Sequence, residues 1–200
     1  MCQYVETIRL VDGQPCALPF HQARMERTLR QLHPTAPIPD LTPAVSRVVA
    51  GHGVWKCRVV YGSTGIVGVD ATPYSLRRVE SLKLVTADDI DYTYKTTDRS
   101  ALLRLAALRD GADDVIIVRR GLLTDTSYTN IALKERNTGK WQTPRHPLLC
   151  GTMRERLLRT GQITEADMSI ADLPAFSDVA LFNAMIDLGA VILKISAVAE

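Results

Sequence analysis

Two strand patterns joined by a tight-turn signal begin the chain, and they limit its possible folds more than any other feature. Residues 4–11 have strand character, Asp12-Gly13 favours a two-residue hairpin turn, and a second short strand is predicted near residues 15–18. Strand patterns at residues 54–61 and 66–71 flank a glycine-rich segment that again indicates a hairpin turn. Consecutive hairpins require antiparallel pairing, which argues against a doubly wound parallel sheet.

Helical patterns alternate with these strands. Helices are predicted at residues 20–32, 42–50, 100–109 and 152–160. Further strands are predicted at residues 81–86, 114–119, 128–134, 141–143, 179–184 and 190–195. This mixture predicts an α+β fold. The polar, acidic segment 87–94 is the best candidate for a connection between two domains, which we place at residues 1–90 and 95–200.

The composition excludes several classes of protein. The chain has 200 residues, of which 46% are hydrophobic and 23% charged, as in ordinary globular proteins. Its net charge of +2 and the lack of a clustered basic stripe argue against nucleic-acid binding. No apolar run approaches the roughly 20 residues of a membrane span, and residues 1–10 lack a signal-peptide core. We therefore predict a cytoplasmic protein that binds neither nucleic acid nor membrane.

The spacing of cysteine and histidine supports neither a disulfide framework nor a metal site. No CxxC pair occurs, so the cysteines are predicted to be free thiols in a reducing compartment. They are Cys2, Cys16, Cys57 and Cys150. The four histidines lie far apart and form no HxxxH or HExxH motif, so no metal is expected.

Several residues could carry chemistry, although each also has an ordinary explanation. Lys95 has aromatic and hydroxylic neighbours that could desolvate its amine and lower its pKa, as a Schiff-base lysine requires, but it could equally be a surface residue. Asp125 lies in a hydroxyl-rich segment and could simply form a turn. The predicted helix start at Thr152 could bind a phosphate, since backbone N–H groups at helix N-termini attract anions.

The order of the motifs is more informative than any one of them. It resembles that of the class IV aminotransferases, the fold-type IV pyridoxal-phosphate enzymes, from about Glu6 to Leu193. The matching motifs are Glu6-Thr-Ile-Arg9, His21-x-x-Arg24-Met25, Lys95, Gly121-x-Leu-Thr-Asp125-x-Ser-x-x-Asn130-Ile, and Thr143-Pro144 followed by Gly151-Thr-Met-Arg154. The resemblance implies two small mixed α/β domains with pyridoxal 5'-phosphate between them, and a homodimer.

The resemblance also implies roles for individual residues. Lys95 would form the Schiff base with the cofactor and move protons after the substrate takes its place. Arg24 and the backbone N–H groups of Thr152 and Met153 would hold the cofactor phosphate. Asp125 would face the pyridine nitrogen and keep it protonated, so that the ring withdraws electrons from the substrate.

Two departures from the family pattern stand out. The family's pyridine partner is a glutamate, and the side chain of Asp125 is one methylene shorter, which would move the carboxylate by roughly 1–1.5 Å on ordinary bond lengths. Its charge is preserved, because either carboxylate is ionised near pH 7 unless it is desolvated. Many family members also have a hairpin before the first strand of this sequence, so we expect a differently shaped substrate pocket.

The reaction is predicted from the residues around the expected substrate. Asn183 and Ala184 would lie beside the phosphate or the substrate carboxylate, and Asn183-Ala184-Met185 is similar to the Asn-Ala-Leu of 4-amino-4-deoxychorismate lyases. Branched-chain aminotransferases often have Gly-Gly where this chain has Thr96-Thr97. These points favour the lyase, which forms 4-aminobenzoate and pyruvate in folate biosynthesis. A branched-chain or D-amino acid aminotransferase using 2-oxoglutarate and glutamate, and a degenerate member without catalysis, stay open.

Overall fold

The computed structural model describes residues 3–199, and Cys2 therefore lies outside the described residues. The chain forms two compact units. The first contains the residues up to Leu76 together with Tyr94–Asp98, and the second contains Arg77–Thr93 and the residues from Arg99 onward. The chain passes from the first unit to the second after Leu76, and the short segment Tyr94–Asp98 belongs to the first unit again. Lys95 is therefore part of the first unit, whereas the predicted division placed it at the start of the second domain.

The first unit is built on an antiparallel four-stranded sheet with the strand order β2-β1-β3-β4. The strands are β1 (Tyr4–Val11), β2 (Gln14–Pro15), β3 (Val54–Gly62) and β4 (Gly65–Pro73). Asp12 and Gly13 both have positive φ angles, 49° and 79°, as a type I′ turn requires. The predicted first hairpin is thereby confirmed, as is the hairpin between β3 and β4.

The first helix, α1, covers one face of this sheet. It spans Leu18–Leu32 and so begins two residues before its predicted start, because Pro19 is tolerated in the first helical turn. The predicted strand near residues 15–18 is correspondingly limited to β2. The buried residues of α1 recur at helical spacing and are His21, Arg24, Met25, Thr28 and Leu29.

The second helix, α2 (Leu41–Ser46), is shorter than the predicted 42–50. Its first turn is capped by the side chain of Asp40, which accepts a hydrogen bond from Thr42 N at 2.8 Å. Apolar side chains of both helices and of the sheet form the core of this unit, including Ile8, Leu10 and Leu41.

The second unit has two sheets. One has the order β13-β5-β6-β7 and consists of β5 (Leu82–Thr86), β6 (Asp114–Arg119), β7 (Leu122–Thr126) and β13 (Val198–Ala199). The other has the order β10-β9-β8-β11-β12 and consists of β8 (Asn130–Glu135), β9 (Trp141–Pro144), β10 (Thr164–Ala166), β11 (Phe176–Phe182) and β12 (Ile192–Lys194). Among the described residues of this unit, three strand pairs are parallel and the others antiparallel.

Short helices complete the second unit. They are α3 (Ser100–Ala107), α4 (Thr152–Arg159) and two 3-10 helices, Ile170–Ala175 and Ile195–Ala197. The predicted α+β class is confirmed. Cys16, Cys57 and Cys150 are free thiols. Within residues 3–199, no helix has the length and apolar character needed to cross a membrane.

Candidate active site

A buried carboxylate anchors the charged cluster of the first unit. Glu6 is on the inward face of β1 and has no exposed surface. It accepts hydrogen bonds from Arg24 Nε to Oε1 at 3.0 Å and from Arg24 Nη2 to Oε2 at 2.5 Å. The Nδ1 atom of His21 lies 2.7 Å from the same Oε2. Because His21 and Arg24 are one helical turn apart on α1, both side chains reach the same carboxylate.

The electrostatics of this cluster follow from its burial. Burial alone would raise the pKa of Glu6, but the charge of Arg24 and the hydrogen bonds from His21 and Arg24 lower it to about 2. Burial lowers the pKa of His21, and the nearby charges of Arg24 and Lys95 act in the same direction against the attraction of Glu6. At neutral pH Glu6 is therefore ionised and His21 is neutral, so Nδ1–H is the donor to Glu6.

Lys95 is held beside the first strand by backbone hydrogen bonds. Val5 N donates to Lys95 O at 2.9 Å, and Thr97 N donates to Gln3 O at 2.9 Å. Thr96 also pairs with the first residue of β1. The segment 95–97 thus lies alongside the beginning of β1, the strand that contains Glu6. These hydrogen bonds hold the backbone of the half-buried Lys95 in place.

In the second unit, Asp125 is buried at the end of β7. Its Oδ1 accepts from Asn130 Nδ2 at 2.8 Å, and its Oδ2 accepts from the backbone N of Leu149 at 2.9 Å. Burial raises the pKa of Asp125 to about 6, although the hydrogen bonds from Leu149 and Asn130 and the charge of Arg154 oppose that rise. Asp125 is thus a desolvated carboxylate, not the exposed turn former that its hydroxyl-rich neighbours could suggest.

The helix predicted to bind a phosphate begins in the interior of the second unit. Thr152 and Met153, the first residues of α4, are both buried. The backbone N of Glu155 donates to Gly151 O at 2.9 Å, which is the first hydrogen bond of the helix. The N–H groups before it have no partner within the helix, so they can bind an anion.

The side chain of Arg154 forms hydrogen bonds outside its own helix. Its Nη2 donates to Pro144 O at 2.8 Å and to Glu165 Oε1 at 2.6 Å. Both Thr143-Pro144 and Gly151-Thr-Met-Arg154 therefore take part in one local arrangement, in which Arg154 joins α4 to the end of β9. This side chain supports the helix start.

The side-chain amide of Asn183 forms hydrogen bonds with two backbone groups. Its Oδ1 accepts from Met185 N at 2.8 Å and its Nδ2 donates to Tyr128 O at 3.1 Å. The backbones of Asn183 and Ile186 also exchange two hydrogen bonds of 3.1 Å. Asn183 thus closes a tight turn that presents Ala184, and it binds this turn to the segment between β7 and β8.

The predicted residues are brought together in two groups. The first unit contains Arg24 and Lys95, and the second contains Asp125, Thr152 and Met153, with Asn183 in the turn after β11. The prediction missed the buried contacts of Glu6 with His21 and Arg24, although all three were part of the matching motifs. The alternation of β1 carried the signal, since the spacing of two from Ile8 places Glu6 on the inward face.

Comparisons with known proteins show the family of the chain. The family described as amino-transferase class IV matches residues 3–193. A Haemophilus influenzae protein, named only as uncharacterized, is 30% identical over 189 residues, which cover 90% of this chain and 96% of that protein. A Schizosaccharomyces pombe protein provisionally named aminodeoxychorismate lyase is 29% identical over 192 residues, with 87% and 82% of the two chains covered.

Solved structures show the same fold. A Haemophilus somnus protein, provisionally named 4-amino-4-deoxychorismate lyase, has a TM-score of 0.85 and 31% identity, covering 94% of this chain and 98% of that chain. An aminotransferase-like protein of Mycobacterium tuberculosis, solved with pyridoxal phosphate, has a TM-score of 0.74 and 21% identity, covering 93% and 78%. At that identity the second likeness shows the fold alone.

The chain belongs to the amino-transferase class IV family. By this membership it is a pyridoxal-phosphate-dependent enzyme, and the predicted family, fold and cofactor are confirmed.

Proposed function

We propose that this enzyme is a lyase that converts 4-amino-4-deoxychorismate to 4-aminobenzoate and pyruvate, with Lys95 as the residue that carries the cofactor. Two related proteins with provisional lyase names support this reaction. A 70-residue segment is also 43% identical to the aminodeoxychorismate lyase of Saccharomyces cerevisiae, covering 32% of this chain and 19% of that protein.

The turn at Asn183 is the structural observation that carries the choice of reaction. Its amide accepts from Met185 N with one atom and donates to Tyr128 O with another. The family's aminotransferases typically have Thr-Ala or Thr-Thr at this position, and a threonine would have to donate and accept from one hydroxyl oxygen in place of two separate amide atoms. The hydrogen bonds from two amide atoms therefore favour the asparagine that is typical of the lyases.

The donor set fits pyridoxal phosphate. A guanidinium and a buried helix N-terminus suit a phosphate, a lysine amine suits an aldehyde, and a buried carboxylate suits a ring nitrogen that must keep its proton. Asp125 supports this fit most directly, because its desolvated carboxylate would gain a cationic partner from the pyridine ring. When bound, the cofactor supplies an aldehyde that condenses with amines and a ring that withdraws electrons.

The residues then have distinct tasks. Arg24 and the N–H groups of Thr152 and Met153 would bind the phosphate. Asp125 would hold the proton at the ring nitrogen. Lys95 Nζ would hold the cofactor aldehyde, and its amine would serve as the general base and acid that moves protons.

Product analysis tests the proposed reaction. The purified enzyme is supplied with 4-amino-4-deoxychorismate, and 4-aminobenzoate and pyruvate are measured. In parallel it is supplied with amino acids and 2-oxoglutarate, and glutamate is measured. We expect 4-aminobenzoate and pyruvate in equal amounts, and neither product with Lys95→Ala. Glutamate as the only product would identify an aminotransferase and contradict the lyase, and no product of either kind would contradict catalysis.

A further inference from the structure

We propose that Asn130 is a positioning residue that joins the carboxylate of Asp125 to the start of α4. It would thereby set the distance between the group expected at the cofactor ring and the helix N-terminus expected at the phosphate. All three parts lie in the second unit. The inference rests on the proposed function, because the two anchor points matter together only if one cofactor uses both.

The hydrogen bonds of Asn130 form a closed network with Asp125 and Leu149. Its Nδ2 donates to Asp125 Oδ1 at 2.8 Å and to Leu149 O at 2.9 Å. Leu149 N in turn donates to Asp125 Oδ2 at 2.9 Å. The amide nitrogen has two hydrogens and both have partners, so the orientation of Asn130 is fixed by two acceptors. Asn130 and Asp125 are each 5% exposed, which keeps water from replacing these bonds.

The opposite side of the amide touches the residue before α4. A Cβ atom at Gly151 would overlap the Oδ1 atom of Asn130 and lie 3.2 Å from its Cγ. The backbone of Gly151 has ordinary extended angles, with φ −69° and ψ 146°, so strain does not demand a glycine. A glycine is needed here because the side chain of Asn130 approaches this position closely. The side chain of Asn130 therefore contacts both Asp125 and the residue that precedes the helix.

The charge state of Asp125 gives a readout that depends on this network. Burial raises its pKa to about 6, and the bonds from Leu149 and Asn130, together with the charge of Arg154 on α4, limit the rise. Removal of the Asn130 bond should raise the pKa of Asp125 further, since one group that favours the ionised form is lost. A side chain that only filled space would not have this effect.

The experiment measures the Asp125 carboxyl directly in the full chain. The protein is labelled with ¹³C at aspartate side-chain carboxyls, the Asp125 signal is assigned by its loss in Asp125→Asn, and its titration is followed by NMR without cofactor. We expect Asn130→Ala to raise the pKa of Asp125 by about one or more. Gly151→Ala should raise it as well, because the added methyl displaces the amide. The exposed Asn137→Ala is the matched control and should leave it unchanged.

A cofactor titration of the same proteins separates this inference from the proposed function. We expect the dissociation constant for pyridoxal phosphate to rise ~10-fold or more in both variants, by analogy with the loss of a residue that orients a metal ligand. An unchanged Asp125 titration in Asn130→Ala and Gly151→Ala would overturn the role of Asn130. If Asn130→Ala does not fold, Gly151→Ala decides. A wild-type protein that binds no cofactor would overturn the proposed function, whereas the NMR titration would still report on the network.

Discussion

The guanidinium of Arg24 and the carboxylate of Glu6 form a bidentate ion pair in the interior of the first unit. Nε lies 3.0 Å from Oε1, and Nη2 lies 2.5 Å from Oε2. The strand β1 supplies the anion and the helix α1 the cation. Because Glu6 also accepts from His21, three motif residues form one arrangement. Arg24, expected to bind the cofactor phosphate, is thus held in a fixed orientation.

Replacing Glu6 with glutamine should destabilise the protein strongly. The amide of glutamine would point a donor at the guanidinium, and a buried charge without its partner costs about 3–5 kcal/mol of the free energy of unfolding. Urea denaturation of Glu6→Gln measures this loss. Glu26→Gln is the matched control, since Glu26 pairs with Arg30 at the surface of the same helix at 3.9 Å and should change stability by no more than ~0.5 kcal/mol. Equal effects of the two substitutions would refute the anchoring role of Glu6.

The contribution of Asp125 to the stability of the cofactor-free protein should fall as the pH rises from about 4 to above 6. The folded-state pKa of Asp125 is raised from 3.8 to about 6, so its stabilising contribution is complete below 3.8 and is lost as the pH passes 6. The loss amounts to about 3 kcal/mol by linkage. It is measured as the difference in the free energy of unfolding between the wild type and Asp125→Asn from pH 4 to 8. A pH-independent difference would show that Asp125 is not desolvated in the folded state.

Loss of the Asp125 charge should separate cofactor binding from turnover. Asp125→Asn keeps a side chain of the same size, so we expect it to retain pyridoxal phosphate. Turnover should fall on the order of 10²-fold or more, the size typical for removal of one electrostatic group from a reacting centre. Absorbance of the bound cofactor and rates of product formation measure the two effects. Unchanged turnover would contradict a role for Asp125 at the ring nitrogen.

Replacing Asp125 with glutamate, the residue of the family pattern, should destabilise the protein. Asp125→Glu adds one methylene at a site that is 5% exposed and whose carboxylate is bound on both oxygens by Asn130 and Leu149. Overpacking of this kind costs about 1–3 kcal/mol, to which the displaced hydrogen bonds add. Denaturation curves of Asp125→Glu and wild type measure the cost. A variant as stable as the wild type would mean that the surroundings of Asp125 are not adapted to the shorter side chain.

Local sequence patterns predicted the turns and helices whose conformation is determined by residues close in sequence. The turn at Asp12-Gly13 and the helix α1 follow from turn chemistry and from apolar spacing, so both were found with small errors at their ends. The strand β7 was not predicted, because the hydroxyl-rich segment around Asp125 was interpreted as a turn, whereas it pairs with β6 in a hairpin across Arg120-Gly121.

The site shows the same division between local and long-range information. Motif order indicated Arg24, Lys95 and Asp125. It could not indicate that Val5 binds the backbone of Lys95, since ninety residues separate them in the chain. Similarly, the contact between Asn130 and Gly151 arises from the close approach of two elements, and only their packing reveals it.

Chemical trapping of the cofactor tests the central claim, that Lys95 carries pyridoxal phosphate, most directly. The protein is incubated with the cofactor, reduced with borohydride, digested and mapped by mass spectrometry. We predict that the reduced cofactor is attached to the peptide containing Lys95, and that the exposed Lys140→Ala control gives the same result. Attachment at another lysine, or none at Lys95 in the wild type, would contradict the account.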